Sequence, residues 1–181
     1  MSDLFVDNIK HQSSQGSGTI TIGASGEKID LGATAGGTFT ARPAFHVNLN
    51  GTNFSIPDSS FTKIQYTNAV FDTDSAFDTS TNYRFTVPTG KAGKYYFWGQ
   101  CRNSSNANFS RWLSLIYKNG SSVCETNQYN NDEETVTSSI VLDLAESDYV
   151  EHYAYHNAGS TKAALGGTVR TFFLGYRLIG A

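Results

Sequence analysis

The sequence lacks the features that mark membrane proteins and nucleic-acid-binding proteins. No apolar run among its 181 residues approaches the roughly 20 residues that a membrane helix needs, and residues 1–14 contain no apolar segment of signal-peptide length. The chain has 13 Lys and Arg against 16 Asp and Glu, with no basic cluster. We therefore expect no membrane insertion, no export directed by this segment and no nucleic-acid partner, since nucleic-acid binding needs concentrated positive charge.

Cysteine is also scarce, with only Cys101 and Cys124 present. Two thiols build neither a disulfide framework nor a zinc site. Two free, half-buried thiols are the first interpretation, and a single bridge between them is the alternative.

Patterns that carry catalysis are absent as well. Of the four histidines, only His152 and His156 have a spacing that suggests a metal. On a strand they share one face but lie about 13 Å apart, too far for one ion. No nucleophile elbow and no phosphate-binding glycine loop occurs. We expect no enzyme; the alternative is a glycan-cleaving enzyme whose carboxylates meet at a subunit boundary.

Strand-forming and turn-forming residues are plentiful. Tyr, Phe, Thr, Ser, Asn and Gly dominate and 13% of residues are aromatic, which favours an all-β fold. Residues 1–40 contain two short alternating runs, 19–23 and 28–32, each closed by Gly. This pattern predicts an N-terminal β-stem or attachment segment, with a flexible linker as the alternative.

Residues 41–181 contain short alternating strands separated by turn signals, the pattern of a sandwich or barrel. The predicted strands are 44–49, 66–71, 83–87, 94–102, 111–118, 140–144, 149–155 and 171–179. Asn119-Gly120 is a strong hairpin signal. Residues 94–102 carry bulky side chains on both faces, so we expect a central strand with one face in the core and the other covered by a partner chain.

Five motifs, in this order, resemble the globular head of complement component 1q and its tumour necrosis factor-like relatives over residues 41–181. They are ARPAFHVNL, the central NAVFDTDSAFDTSTNYRFTVPTGKAGKYYFWGQ, LSLIYKNGSSV, SSIVLDLAESDYVEHYAY and TFFLGYRLIGA. The sequence departs from the family pattern in two places. Asn82 or Tyr83 stands where the family has Gly, and extra residues occur around 89–92.

The resemblance implies a ten-stranded jelly-roll sandwich that forms a homotrimer through an aromatic-lined face. The candidate interface residues are Tyr95, Phe97, Tyr153, Tyr155, Phe172 and Tyr176, with ordinary core as the alternative for each. Some members of the family bind calcium at the trimer axis, and the candidate ligands here are Asp132, Glu133 and Glu134. A solvated acidic loop is the alternative, and no other cofactor is expected.

Residues 4–27 resemble short segments of tail-fibre and other appendage proteins of bacterial viruses. The two resemblances together imply a non-enzymatic structural and adhesive virion appendage, either a tail fibre or a capsid decoration, whose N-terminus contacts other virion proteins. Its loops would bind a host-surface glycan or protein, with avidity from three copies. The candidate loop residues are Asn106, Asn108, Tyr129, Asn130 and Asn131. The alternative is a secreted or surface recognition domain outside the cell.

Overall fold

The computed structural model describes residues 42–103, 111–129 and 135–180. The chain divides into two compact units, Met1–Thr38 and Phe39–Ala181, and every described residue belongs to the second. The predicted stem, residues 1–40, therefore lies outside the described residues and stays a prediction.

The described residues form thirteen strands and no helix, which confirms the all-β prediction. None of their elements is a helix able to cross a membrane. The strands are β1 (Ala44–Asn48), β2 (Phe54–Ile56), β3 (Thr62–Lys63), β4 (Asn68–Asp72), β5 (Phe77–Asp78), β6 (Arg84–Thr86), β7 (Gly93–Arg102), β8 (Trp112–Lys118), β9 (Ser121–Gln128), β10 (Thr135–Leu144), β11 (Tyr149–His156), β12 (Lys162–Ala164) and β13 (Phe172–Gly180).

The count of ten strands was too low. Strands β2, β3, β5 and β12 contain only two or three residues each, too few to show a periodic pattern in the sequence. Strand β9 is polar and shows no alternating apolar pattern, so it is missing from the predicted strands. In the structure, β9 continues to Gln128 and β10 starts at Thr135.

The strands form two facing sheets with antiparallel neighbours. The first sheet has the order β10-β7-β13-β1-β4, and the second has the order β5-β6-β11-β8-β9, with β3 also paired to β11. Strands β2 and β12 form a separate two-stranded ribbon. This arrangement is the jelly-roll sandwich expected from the sequence, because both sheets bury one face against the other.

Aromatic rings from both sheets fill the core. Phe45 of β1 packs 5.1 Å from Phe85 of the second sheet and 5.3 Å from Phe173, measured between ring centroids. Tyr95 and Phe97 of β7 join this cluster and are fully buried. Large rings supply most of the buried apolar area, and with it most of the hydrophobic stabilisation.

Turns close where short polar residues tolerate a left-handed backbone. Asn119 and Gly120 both have positive φ, 50° and 79°, and connect β8 to β9 as the hairpin signal predicted. Tyr83, one of the two candidate positions where the family that the sequence resembles has Gly, also has a positive φ of 50°. A tyrosine there is strained, so this departure from the family pattern has a physical cost.

Candidate functional site

The solvent side of the first sheet carries a broad cluster of apolar and aromatic side chains. The antiparallel register aligns Trp98, Leu174, His46 and Phe71 across four adjacent strands. We call this surface the apolar face and define it by Tyr96, Trp98, Val141, Phe172, Leu174, Tyr176, His46 and Phe71. Of these, Phe71 is 48% exposed, Val141 52% and Tyr176 43%.

Ring-to-ring contacts organise the apolar face. Tyr96 packs 5.5 Å from Tyr176, and Trp98 lies 5.4 Å from Phe172 in an edge-to-face arrangement. The five strands span roughly 20 Å at about 4.8 Å per strand. Apolar side chains therefore continue across the whole width of the sheet, and large exposed apolar patches mark interaction sites.

His46 lies inside the apolar face. Its ring meets the rings of Phe172 and Phe71 edge-to-face, at 5.3 and 6.1 Å between centroids. Among the described residues, its buried Nε2 atom has no hydrogen-bond partner. Burial lowers the pKa of His46 below its ordinary value of 6.5, so the neutral imidazole is favoured there.

The six residues predicted for the trimer interface occupy three different places. Phe172 and Tyr176 lie on the apolar face, and their role in a trimer interface stays a prediction. Tyr95 and Phe97 do not, and their assignment was wrong, because both are 0% exposed in the core of a single chain. Bulky residues occupy both faces of β7, so composition could not show which set points outward. The outward residues are Tyr96 and Trp98.

Tyr153 and Tyr155 are half-buried on the solvent side of the second sheet, opposite the apolar face. Their inward neighbours, His152, Ala154 and His156, line the core. On one chain, Phe172 and Tyr176 therefore lie on a different surface from these tyrosines. The sequence pattern YVEHYAYH alternates tyrosine with inward residues, and only the sheet pairing shows which side the tyrosines face.

These two tyrosines belong to a group of rings that we call the tyrosine ladder, defined by Phe61, Tyr117, Tyr149, Tyr153 and Tyr155. Tyr117 stacks 4.1 Å from Tyr153, and Phe61 lies 4.7 Å from Tyr155. The guanidinium of Arg84 stands 4.0 Å above the Tyr149 ring, and that of Arg111 stands 5.8 Å from the Tyr155 ring.

Ion pairs flank the tyrosine ladder. Lys63 Nζ lies 2.9 Å from Glu151 Oε1, and Arg111 Nη2 lies 3.5 Å from Glu125 Oε1. Burial and the nearby Glu151 carboxylate raise the pKa of Tyr153, and burial with Glu125 does the same for Tyr117. The phenols are therefore neutral at physiological pH.

Most of the predicted loop and metal residues cannot be placed. Asn106, Asn108, Asn130 and Asn131 lie outside the described residues. So do the candidate calcium ligands Asp132, Glu133 and Glu134, and calcium binding stays a prediction. Tyr129 is described and is 70% exposed. Within the described ranges, no group of three or more His, Cys, Asp or Glu side chains is arranged to hold a metal ion.

A buried polar chain crosses the core and contains His152. Its Nδ1 lies 2.6 Å from the Tyr66 hydroxyl and its Nε2 lies 2.8 Å from Ser114 Oγ. Ser114 Oγ in turn lies 2.7 Å from Ser138 Oγ. Desolvation lowers the pKa of His152 to about 3. This hydrogen-bonded network contains a serine–histidine pair, but it is closed to solvent and links the two sheets.

The other polar groups singled out in the sequence have structural partners. His156 Nε2 lies 2.8 Å from the carbonyl oxygen of Ile56. Cys101 is buried and Cys124 half-buried, and both are free; burial raises the pKa of the Cys101 thiol. The Cys124 thiol lies 3.5 Å from the Ser139 carbonyl oxygen.

An open cavity of about 380 Å³ lies at one end of the sandwich, between the 74–78 turn and β6. Asp74, Asp78 and Arg84 are among its lining residues. The Asp78 carboxylate accepts hydrogen bonds from the backbone N–H groups of Ser80, Thr81 and Asn82, which lower its pKa. The carboxylate therefore closes a turn rather than acting as a general acid.

The architecture defines the class of protein: an all-β jelly roll of the complement component 1q and tumour necrosis factor type. The globular domain of zebrafish complement 1qA superimposes with a TM-score of 0.52 at 19% identity, covering 77% of this chain and 99% of that chain. The Eiger tumour necrosis factor of S. frugiperda gives 0.55 at 12%, covering 77% and 94%. Murine APRIL at pH 5.0 gives 0.55 at 14%, covering 76% and 100%.

Comparison by sequence adds nothing to this result. No family model matches the chain, and no curated protein matches it. Because the structural similarities are below 20% identity, they show the fold and leave the function to be argued from the surface of this chain.

Proposed function

We propose that this chain is a non-enzymatic recognition head that works as a homotrimer, assembled through the apolar face. The observation that carries the proposal is the apolar face itself, which combines exposed Phe71, Val141 and Tyr176 on one sheet. Covering such a surface removes apolar area from water at about 25 cal/mol per Å². Tyr, Trp and Phe are also the residues enriched in protein interfaces.

A closed threefold ring would cover this face. In a ring, the face meets a different surface of the next chain, and closed rings of this kind leave no apolar face uncovered. The likeness of the fold to complement component 1q and tumour necrosis factor domains supports the same arrangement.

Nothing in the described residues favours catalysis. Their serine–histidine contact, Ser114 with His152, has both side chains buried, and the low pKa of His152 makes it a poor base at neutral pH. We therefore propose a binding role, in which three copies present the same surfaces and gain avidity.

The test is the mass of the assembly in solution. Light scattering of the purified chain should give three times the 19.7 kDa chain mass at micromolar concentration. The Tyr176→Glu variant should be monomeric, because it places a charge in a desolvated contact. Tyr153→Glu is the matched control on the opposite sheet and should remain trimeric. A monomeric wild-type protein, or dissociation by Tyr153→Glu alone, would contradict the proposal.

We further propose that the head belongs to a virion appendage, a tail fibre or capsid decoration, attached through residues 1–40. This step rests on the resemblance of the N-terminal segment to viral appendage proteins. Electron tomography of particles labelled with an antibody to the chain should show the label on virions. Unlabelled virions, with the chain recovered from the medium, would favour the alternative of an extracellular recognition domain that binds glycan or protein.

A further inference from the structure

The tyrosine ladder lies on the solvent side of the second sheet, opposite the apolar face. Three of the four outward positions of β11 are tyrosine, Tyr149, Tyr153 and Tyr155. At about 3.3 Å per residue, this row is roughly 20 Å long. Tyr117 on the neighbouring strand β8, and Phe61 beside β3, widen the row.

The rings of the ladder are available to a ligand. Phe61 is 54% exposed although it packs against Tyr155. The Tyr117 and Tyr153 rings are inclined by only 24°, so they form a nearly continuous stack. Among the described residues, the tyrosine hydroxyls that bond to protein are those of Tyr66 and Tyr95. Within the described ranges, the hydroxyls of the ladder have no hydrogen-bond partner and can bond to solvent or to a ligand.

The charges around the ladder largely cancel. Lys63 pairs with Glu151, and Arg111 pairs with Glu125. The guanidinium of Arg84 lies over the Tyr149 ring. The surface between the rings is therefore rich in hydrogen-bonding groups without a strong charge of either sign. This composition complements a neutral ligand with many hydroxyl groups.

The exposed ring area is too small for a protein partner. An aromatic side chain presents about 150–250 Å², and four of the five rings are half-buried. The ladder therefore exposes on the order of 400 Å² of ring surface, about half of the roughly 800 Å² that each partner contributes to a standard protein interface. The ion pairs also interrupt it, whereas the centre of a protein interface is depleted of charge.

We propose that the tyrosine ladder binds an extended, neutral oligosaccharide. The C–H faces of successive pyranose rings would pack on the aromatic rings, and their hydroxyls would bond to the phenols and to the flanking ion pairs. This inference rests on the proposed role as a recognition head. Because the ladder lies mainly on a rigid sheet, little conformational entropy of the protein is lost on binding.

The test is calorimetric titration of the full chain with hexasaccharides of glucose, mannose, xylose and N-acetylglucosamine, and with an oligogalacturonate as a charged probe. At least one neutral hexasaccharide should bind saturably. Phe61→Ala and Tyr155→Ala should each weaken that binding about tenfold or more, as loss of a central aromatic contact does. Tyr155→Phe, which keeps the ring, should bind within about threefold of the wild type.

Val169→Ala is the control, since Val169 is 76% exposed and lies outside the ladder. It should bind like the wild type. The proposal is overturned if none of the neutral probes binds, if only the oligogalacturonate binds, if Phe61→Ala and Tyr155→Ala bind normally, or if Val169→Ala abolishes binding. Thermal melts check that each variant is folded.

Light scattering on the same samples separates this inference from the proposed function. A trimer that binds no neutral probe leaves the assembly proposal standing and removes the ladder as a glycan site. A monomer whose binding depends on Tyr155 removes the assembly proposal and keeps the glycan site.

Discussion

His152 is the residue whose chemistry depends most on its surroundings. In the unfolded chain it titrates near its ordinary pKa of 6.5, whereas in the folded protein desolvation lowers this pKa to about 3. Tyr66 and Ser114 hydrogen-bond both ring nitrogens, so a buried polar ring remains satisfied while it is neutral. The same environment penalises the charged form.

This pKa shift predicts that acid destabilises the protein. The folded state binds fewer protons than the unfolded state between pH 6.5 and about 3, so stability contributed by His152 is full above 6.5 and is lost as pH falls through this window. Urea unfolding should show a loss of about 2 kcal/mol from this residue between about pH 7.5 and about pH 5.

His152→Gln supplies the control for this measurement, because an amide keeps hydrogen-bonding capacity and does not titrate. Its stability should depend less on pH by that amount. An unchanged pH dependence in the variant would show that other groups cause the acid sensitivity.

At the scale of the strands, β7 and β13 approach their neighbours closely because each contains a glycine. A Cβ atom on Gly175 would lie 2.6 Å from Phe97 Cδ1 and 2.9 Å from Phe45 Cε1. A Cβ atom on Gly99 would lie 2.5 Å from His152 Nε2. The glycine in the closing motif TFFLGYRLIGA therefore has a packing reason, since the core rings occupy the space of its missing side chain.

Gly175→Ala is expected to lower the free energy of unfolding by about 1–3 kcal/mol, because overpacking forces rings or backbone to move. Chemical denaturation with the midpoint and slope fitted separately would measure the loss. Gly90→Asn is a suitable control: Gly90 has a φ of 72° and no heavy atom near its missing Cβ. Asn tolerates that conformation, so the variant should be nearly neutral. A neutral Gly175→Ala would mean that Phe45 and Phe97 relax without cost.

At the scale of the whole molecule, the apolar face and the tyrosine ladder have different proposed roles. The apolar face is wide and continuous and is proposed to be covered by other copies of the chain. The tyrosine ladder is narrow and interrupted by the Lys63–Glu151 and Arg111–Glu125 pairs and is proposed to remain free for a ligand. A trimer built in this way presents three identical ladders outward, which multiplies a weak single contact.

The position of His46 makes trimer assembly sensitive to acid. The rings of Phe71 and Phe172 pack against its ring, and Leu174 is its partner across the β1–β13 pair. Covering the face would lower the pKa of His46 further. The separated chain then binds more protons than the trimer once the pH falls through the pKa of His46 in that chain, which burial already holds below 6.5. Acidification through that pKa should shift the equilibrium towards monomers.

Sedimentation of the wild type at about pH 7.5 and about pH 5 should show weaker association at the lower pH. His46→Leu keeps the apolar character of the face and should remove most of this difference. Equal association of the wild type at both values would show that His46 stays exposed or that the face is not the contact.

The sequence by itself determined the fold class. Alternating residues such as those of 44–49 and 171–179 predicted strands, and Asn119-Gly120 predicted a hairpin, because these signals depend on local backbone preferences. The resemblance of five ordered motifs to a known family implied the jelly roll. Very short strands such as β3 and β5 were not predicted, because two residues show no periodic pattern. Such strands form only through pairing with distant strands.

Only the tertiary structure decided which aromatic residues are available for contacts. Tyr95 and Tyr96, or Phe97 and Trp98, have equivalent local patterns, and the register of β7 with β13 places one of each pair inside and the other outside. The same holds for β11, where pairing with β8 directs Tyr153 and Tyr155 away from the core. Long-range strand pairing decides which side chains of a strand point into the core. Where a strand has bulky residues on both sides, its own sequence does not show which side is buried.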